Sequence, residues 1–173
     1  MFTQSKLLKK HKTLNACFGF IYQKQSEIYK NYKHKTHHPE KVDLALMCNR
    51  WDGTIGLPGG KMEEDEDFIL GLKRELKEEI NYEPESEIVP ICSFHSYFIG
   101  VHMYGIETTD MKKVIQNACK AEHFLTEITG SFALQFCNHG KNRFDDFMNK
   151  SNCQSKLTDQ IQIAIDTLGL KVL

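Results

Sequence analysis

The stretch Gly59 to Tyr82, GGKMEEDEDFILGLKRELKEEINY, constrains this chain more than any other. Phe68, Ile69, Leu72, Leu76 and Ile80 recur at helical spacing, so a helix from about Glu66 to Ile80 would lay one apolar stripe on a core. Pro58-Gly59-Gly60 reads as a tight loop, because Pro fixes φ and Gly adopts conformations closed to other residues. The acidic run Glu63 to Asp67 suits the positive end of the helix dipole. Beside the stripe, Glu75, Glu78 and Glu79 stand at i, i+3 and i+4 and share a face.

Carboxylates so spaced lie roughly 5–6 Å apart at Cβ. Each close pair repels by about 3 kcal/mol at an effective dielectric of about 20. A divalent cation turns that repulsion into attraction, and hard oxygen ligands suit Mg²⁺, Mn²⁺ or Ca²⁺. Gly71 falls on the same face, where a side chain would crowd a bound ion or ligand. Arg74, one turn before Glu78, is placed to brace it. A solvated acidic helix face accounts for the charge pattern equally well.

At 173 residues and 40% hydrophobic content, the sequence suits a single domain with a proper core. No apolar run reaches membrane-spanning length, and the basic start lacks the apolar core of a signal peptide. The six cysteines show no paired metal-ligand spacing and read as buried thiols in a reducing, intracellular setting: nucleus, nucleolus or cytoplasm. Charge is uneven. Residues 1–50 carry ten Lys and Arg against three Asp and Glu, while residues 51–90 carry four against twelve. A basic front beside an acidic centre suits a polyanion gripped at one end and a cation-bearing site acting on it.

Along the chain, residues 1–12 read as a flexible basic arm and Leu14 to Tyr22 as a strand. Gln23 to Lys41 is a polar loop in which lysines interleave with Tyr29, Tyr32, His34, His37 and His38, a composition suited to RNA contact or to plain solvation. Further strands are expected at Val42 to Asn49, Thr54 to Leu57, Glu87 to Phe98, Ile99 to Glu107 and Gly130 to Phe136. Helices are expected at Asp110 to Lys120, Arg143 to Asn149 and Ser155 to Leu168, the last with a stripe of Leu157, Ile161, Ala164, Ile165 and Leu168. This order argues for a mixed sheet covered by helices on two sides.

Gly60, Glu66, Arg74-Glu75-Leu76, Glu78-Glu79 and Tyr82 stand at spacings that resemble the Nudix box. Asn81 departs from it, where the family usually has Gly, but Asn also serves as a left-handed helix cap. The resemblance implies an α/β fold, the Nudix α/β/α sandwich, with a mixed β-sheet flanked by helices including the Nudix helix. Flanking residues extend the likeness to the snoRNA-decapping, inosine-diphosphatase branch. They are Ala16-Cys17, Asn49-Arg50-Trp51-Asp52-Gly53, Gly56-Leu57-Pro58, Ala121-Glu122-His123 and Asp159-Gln160.

Carried over, the resemblance implies Glu75, Glu78 and Glu79 as ligands of Mg²⁺ or Mn²⁺, with a backbone oxygen from Gly59. Arg50, Leu57 and Gln160 would line the base and phosphate pocket. Phe18 stands where the branch has a base-contacting His, keeping a stacking face and losing a hydrogen-bond donor. Leu57 replaces an aromatic. Glu79, Glu78 and His95 are the candidate general bases. The expected activity is hydrolysis of nucleoside diphosphate-linked substrates: RNA caps, and purine nucleoside diphosphates such as IDP. The rival readings are a small-dinucleotide pyrophosphatase (ADP-ribose, NADH, diadenosine polyphosphates) and a catalytically silent RNA-binding module. The expected partners are capped RNA or a free nucleotide, without a membrane, and a homodimer is compatible with the sequence.

Overall fold

The structure is a computed structural model that describes residues 14–26, 41–95, 98–138, 144–154 and 156–173. The expected basic arm and the Tyr- and His-rich part of the polar loop lie outside the described residues.

Strand β1 (Leu14–Ser26) is the hub of a seven-stranded mixed sheet. Its apolar run LNACFGFIY continues through Gln23 to Ser26, farther than expected, because Gln23 and Ser26 still pair with β2 (Val42–Arg50). One edge of β1 runs parallel to β6 (Ile99–Glu107), which pairs in turn with β5 (Ile88–His95). The other edge is shared. Tyr22 to Ser26 take β2, whereas Ala16 to Phe18 take β4 (Gly59–Lys61). Between them the Gly19 N–H donates to the Pro58 carbonyl at 2.9 Å. The Gly-rich segment is therefore a short strand as well as a loop, which the sequence reading missed. Gly59 makes this possible: its φ is +128°, and a Cβ there would collide with the β1 backbone at Cys17 and Phe18. β3 (Ile55–Gly56) and β7 (Ile128–Gln135) complete the sheet on either edge of β2.

Helix α1 (Phe68–Ile80) packs Leu72, Leu76 and Ile80 on Cys17, Ile21, Leu44 and Leu46, joined by Met111, Val114 and Ala118 from α2 (Met111–Ala118). Leu72, Leu76 and Ile80 are all fully buried, each worth about 1.5–3 kcal/mol of apolar transfer. α1 starts two residues later than expected. Asp67 is its cap, accepting from the Ile69 and Leu70 N–H groups, and the acidic run lies ahead of the first turn. At the other end Asn81 is left-handed, at φ 48° and ψ 47°, as the sequence requires. The opposite face of the sheet packs on α3 (Phe144–Lys150) and α4 (Leu157–Leu168) through Phe20, Ala45, Met47, Phe136, Phe144, Leu157, Ile161 and Ala164. The two-sided layering is thus as expected. Of the cysteines, Cys17, Cys48 and Cys137 are buried, but Cys119 is exposed, against the expectation of uniform burial. Among the described residues no helix is long and apolar enough to cross a membrane.

Candidate active site

α1 turns an acidic face toward the split in the sheet, where β1 passes from β2 to β4. Glu75 and Glu79 are buried there, and Glu79 has no exposed surface. The Gly59 N–H donates to Glu79 Oε2 at 2.6 Å. A Cβ on Gly60 would sit against the Glu75 carboxylate, so the absent side chain is what lets that carboxylate reach the loop. Gly71 has a different reason from the one expected. A Cβ there would strike Met62 Sδ and Glu66 Oε2, so the returning 62–66 segment, not a bound ion, fills the space beside it.

Arg74 organises the carboxylates. It forks onto Glu66, Nε to Oε1 at 2.9 Å and Nη2 to Oε2 at 3.0 Å. Its Nη1 donates to Glu75 Oε1 at 2.9 Å and to Glu78 Oε2 at 3.0 Å. The brace on Glu78 was legible in the sequence; Glu66 and Glu75 are additional. The hydrogen bond to Glu66 is the main influence holding the guanidinium's pKa above its usual range, and the same contact holds Glu66 below the usual carboxylate range.

Glu79 is the electrostatic centre. Burial pushes its carboxyl up to about 8, against the Gly59 hydrogen bond and the Arg50 charge, and with help from Glu75 and Glu127. Burial likewise raises Glu75. Arg50, at the end of β2, places Nη1 3.8 Å from Glu79 Oε1. That is close enough to attract and too far to hydrogen-bond, and both atoms are buried without a partner.

Glu127 was not singled out from the sequence. It lies on the loop whose His123 N–H caps the Glu78 carbonyl at 2.9 Å, and its charge bears on both Glu75 and Glu79. Its side chain is 3.2 Å from His123 Nδ1. Long-range folding, not local spacing, brings it to the site. The i,i+4 pair His123 and Glu127 is the one local signal, and it is a weak one.

Phe18, Leu57 and Gln160 are brought together, but Arg50, expected beside them, is not in the lining. With Gln154 they line a cavity of about 220 Å³. Gln154 is the member missed. Its segment runs along β3, Ile55 N–H to Asn152 at 2.8 Å and Gln154 N–H to Ile55 at 2.8 Å. Its amide lies over Gly56, where a Cβ would come within 2.5 Å of Oε1 and 3.1 Å of Arg50 Cδ. A larger cavity, about 610 Å³, opens at the N-terminal end of α1 among Asn15, Lys61, Glu66, Phe68 and Arg74. Neither cavity is lined by Arg50, Glu75 or Glu79; the larger one reaches the carboxylates through Arg74 and Glu66, and the smaller one approaches Arg50 through Gln154, which meets the Arg50 stem at Gly56.

His95 is not among these groups. It is exposed on β5 with its ring 5.3 Å from that of His102, and no described hydrogen bond or ion pair joins it to Glu75, Glu78 or Glu79. His102 is buried, stacked on Phe68 at 4.4 Å, with Nδ1 2.9 Å from Ser93 Oγ and Nε2 3.3 Å from Asn15 Oδ1. Both its nitrogens are engaged, which fits a packed core histidine.

Among the described residues no three His, Cys, Asp or Glu groups are closed around a metal-sized point. Arg74 Nη1 accounts for this in part, since it draws Glu75 and Glu78 to itself. The donor set nevertheless fits a hard divalent cation. Its carboxylates are clustered, mutually repelling and partly desolvated, and Glu79 Oε1 lacks a hydrogen-bond partner.

Comparison with known proteins agrees with this geometry. A MutT/nudix family protein from Enterococcus faecalis matches with a TM-score of 0.68 at 13% identity, over 95% of this chain and 65% of that one. One from Listeria innocua matches with a TM-score of 0.63 at 11% identity, over 90% of this chain and 94% of that one. At such identities these show the fold alone. A U8 snoRNA-decapping enzyme of Homalodisca vitripennis is 30% identical over 103 residues, 55% of this chain and 55% of that protein. The chain thus spans about half the length of the curated relative it matches. The family model described as Nudt16-like, U8 snoRNA-decapping enzyme-like, matches residues 15–170. With that match running from the first strand through the carboxylate helix to the last helix, the chain belongs to the Nudt16-like family.

Proposed function

We propose that this chain is a divalent-metal-dependent pyrophosphohydrolase that cleaves nucleoside diphosphate-linked substrates. Capped RNA is the principal substrate, releasing a nucleoside diphosphate, and IDP-type purine nucleotides are further ones. The observation that carries this reading is the buried Arg50–Glu79 pair, each with an unused polar atom, beside a cavity sized for one base. Leaving such atoms unpaired costs about 1–3 kcal/mol apiece, and a bound phosphate and cation together would satisfy both.

Glu75, Glu78 and Glu79, with the Gly59 carbonyl and Glu127, would hold Mg²⁺ or Mn²⁺. When bound, such an ion neutralises phosphoanhydride charge and lowers the pKa of an attached water. The chain's own residues do the rest. Arg50 offers its free Nη1 to a phosphate oxygen. Phe18 and Leu57 cover the faces of a base, while Gln154 and Gln160 present amides to its edge. Arg74 keeps Glu75 and Glu78 together on one face, and these carboxylates would give up part of that contact to take a cation. Glu78 and Glu127 are partly exposed, so either is accessible to take the proton of the attacking water. His95 is given no such role, since it is not joined to the cluster.

The relative named as a U8 snoRNA-decapping enzyme and the net charge of the front half support RNA over small dinucleotides. That substrate places the protein inside the cell, in nucleus, nucleolus or cytoplasm. The test is mass spectrometry of products from capped RNAs, IDP, ADP-ribose, NADH and diadenosine polyphosphates with Mg²⁺ or Mn²⁺. Release of the cap nucleoside as its diphosphate, leaving a 5′-phosphorylated RNA and lost in Glu79→Gln, is the expected result. Turnover of dinucleotides alone would move the substrate class. RNA affinity without any turnover would leave only a binding module.

A further inference from the structure

Trp51 is the single tryptophan of the chain, and it is 68% exposed. It follows Arg50 directly, and its N–H donates to the Glu127 carbonyl at 3.0 Å. This backbone bond ties Trp51 between Arg50 and Glu127, the two residues whose charges act on Glu79. The turn beneath it is firmly built. Arg50 N–H bonds the Thr54 carbonyl at 2.8 Å, and Gly53 N–H bonds the Arg50 carbonyl at 3.0 Å. Asp52 Oδ1 accepts from Thr54 N–H at 2.9 Å and Thr54 Oγ1 at 2.7 Å, and Asn152 Nδ2 reaches the Gly53 carbonyl at 3.0 Å.

Core packing does not explain a large aromatic left in water on so well-tied a turn. Its position does suggest a use. The cavity of Phe18, Leu57, Gln154 and Gln160 has room for one base, and its Gln154 meets the stem of Arg50, the residue before Trp51, at Gly56. A substrate with nucleosides on both ends of its phosphates must place the second base elsewhere. Every base has a π-face, so an exposed indole on the residue after Arg50 receives it without regard to sequence.

We infer that Trp51 is a stacking platform for the first nucleobase of the RNA strand beyond the pyrophosphate. This rests on the pyrophosphohydrolase reading above. It adds a second nucleoside site that distinguishes a capped strand from a mononucleotide.

The test compares wild type, Trp51→Ala and Trp51→Phe on a capped oligonucleotide and on IDP. The specificity ratio, kcat/KM for capped RNA over that for IDP, is expected to fall about tenfold in Trp51→Ala, as the loss of one base stack implies, and to be largely restored in Trp51→Phe. The change should lie in KM. A ratio unchanged in Trp51→Ala, or a phenylalanine variant as poor as alanine, overturns the inference. Fluorescence supplies a readout independent of turnover, because the emission comes from this residue alone. In Glu79→Gln, adding a capped oligonucleotide should quench it, and adding IDP should not. A blue shift with rising protein concentration and no quench by RNA would instead place a second copy of the chain on Trp51. If no substrate is turned over but RNA still quenches, the hydrolase reading fails while the platform stands.

Discussion

Arg50 Nη1 faces Glu79 Oε1 across 3.8 Å, and neither atom has a hydrogen bond. Both atoms are buried, and the pair is incomplete. In a core such an arrangement is a cost, since breaking or leaving unsatisfied a buried charge is unfavourable. Beside a one-base cavity and a clustered acidic helix face, it has the character of a site preorganised for a ligand.

That cost has a pH signature in the metal-free protein. The Glu79 carboxyl is raised by burial to about 8, above its unfolded value, so the native state binds this proton more tightly. Its contribution to stability is full below the unfolded pKa and is lost as pH rises toward the folded one. With chelator present, Tm is expected to fall between about pH 5 and pH 8, by a free energy on the order of several kcal/mol. Mn²⁺ should reverse the loss, most at the alkaline end. Glu79→Gln should flatten the profile while removing activity. Thermal melts across pH, with and without metal, check this; a flat chelated wild-type profile would refute it.

Arg74 holds three carboxylates through one guanidinium. Arg74→Met should raise the half-saturating Mn²⁺ concentration or lower kcat by about 10–100-fold, the usual effect of losing a ligand-orienting partner. Arg74→Lys should rescue little, because an ammonium cannot reproduce the fork on Glu66. Metal titrations of activity distinguish the three proteins.

Gly56 leaves the space that Gln154 occupies. In Gly56→Ala the new methyl would displace the Gln154 amide or the Arg50 stem. KM for nucleotide is expected to rise about tenfold, with a stability loss of about 1–3 kcal/mol at most. Steady-state kinetics beside a thermal melt separates a pocket effect from unfolding.

Asn81 ends α1 in the left-handed region. Asn81→Ala should destabilise by about 1–2 kcal/mol, the usual penalty of a Cβ there without a local polar side chain. Urea denaturation measures it, and an unchanged midpoint would mean the cap contributes nothing.

Sequence reasoning reached the elements whose signals are local. The Leu72, Leu76 and Ile80 stripe, the Leu157 to Ile165 stripe and the Asn81 cap are all as read, because helical period and cap chemistry are written within one turn or two. The same locality explains the acidic face. What it did not reach depends on distant partners. β4 is three residues with two glycines, and it is a strand only because β1 offers Ala16 to Phe18. Glu127 and Gln154 arrive on irregular segments held by His123 and Ile55. Gly71 answers to Met62 and Glu66, whose return path no local pattern specifies.

The central claim is a cation held by Glu75, Glu78 and Glu79 beside Arg50. Anomalous diffraction from a crystal soaked in Mn²⁺ and a nucleoside diphosphate tests it most directly. The account predicts a manganese peak about 2.0–2.3 Å from Glu79 Oε1, with Arg50 on a phosphate oxygen. Well-ordered nucleotide with no manganese at these carboxylates would contradict it.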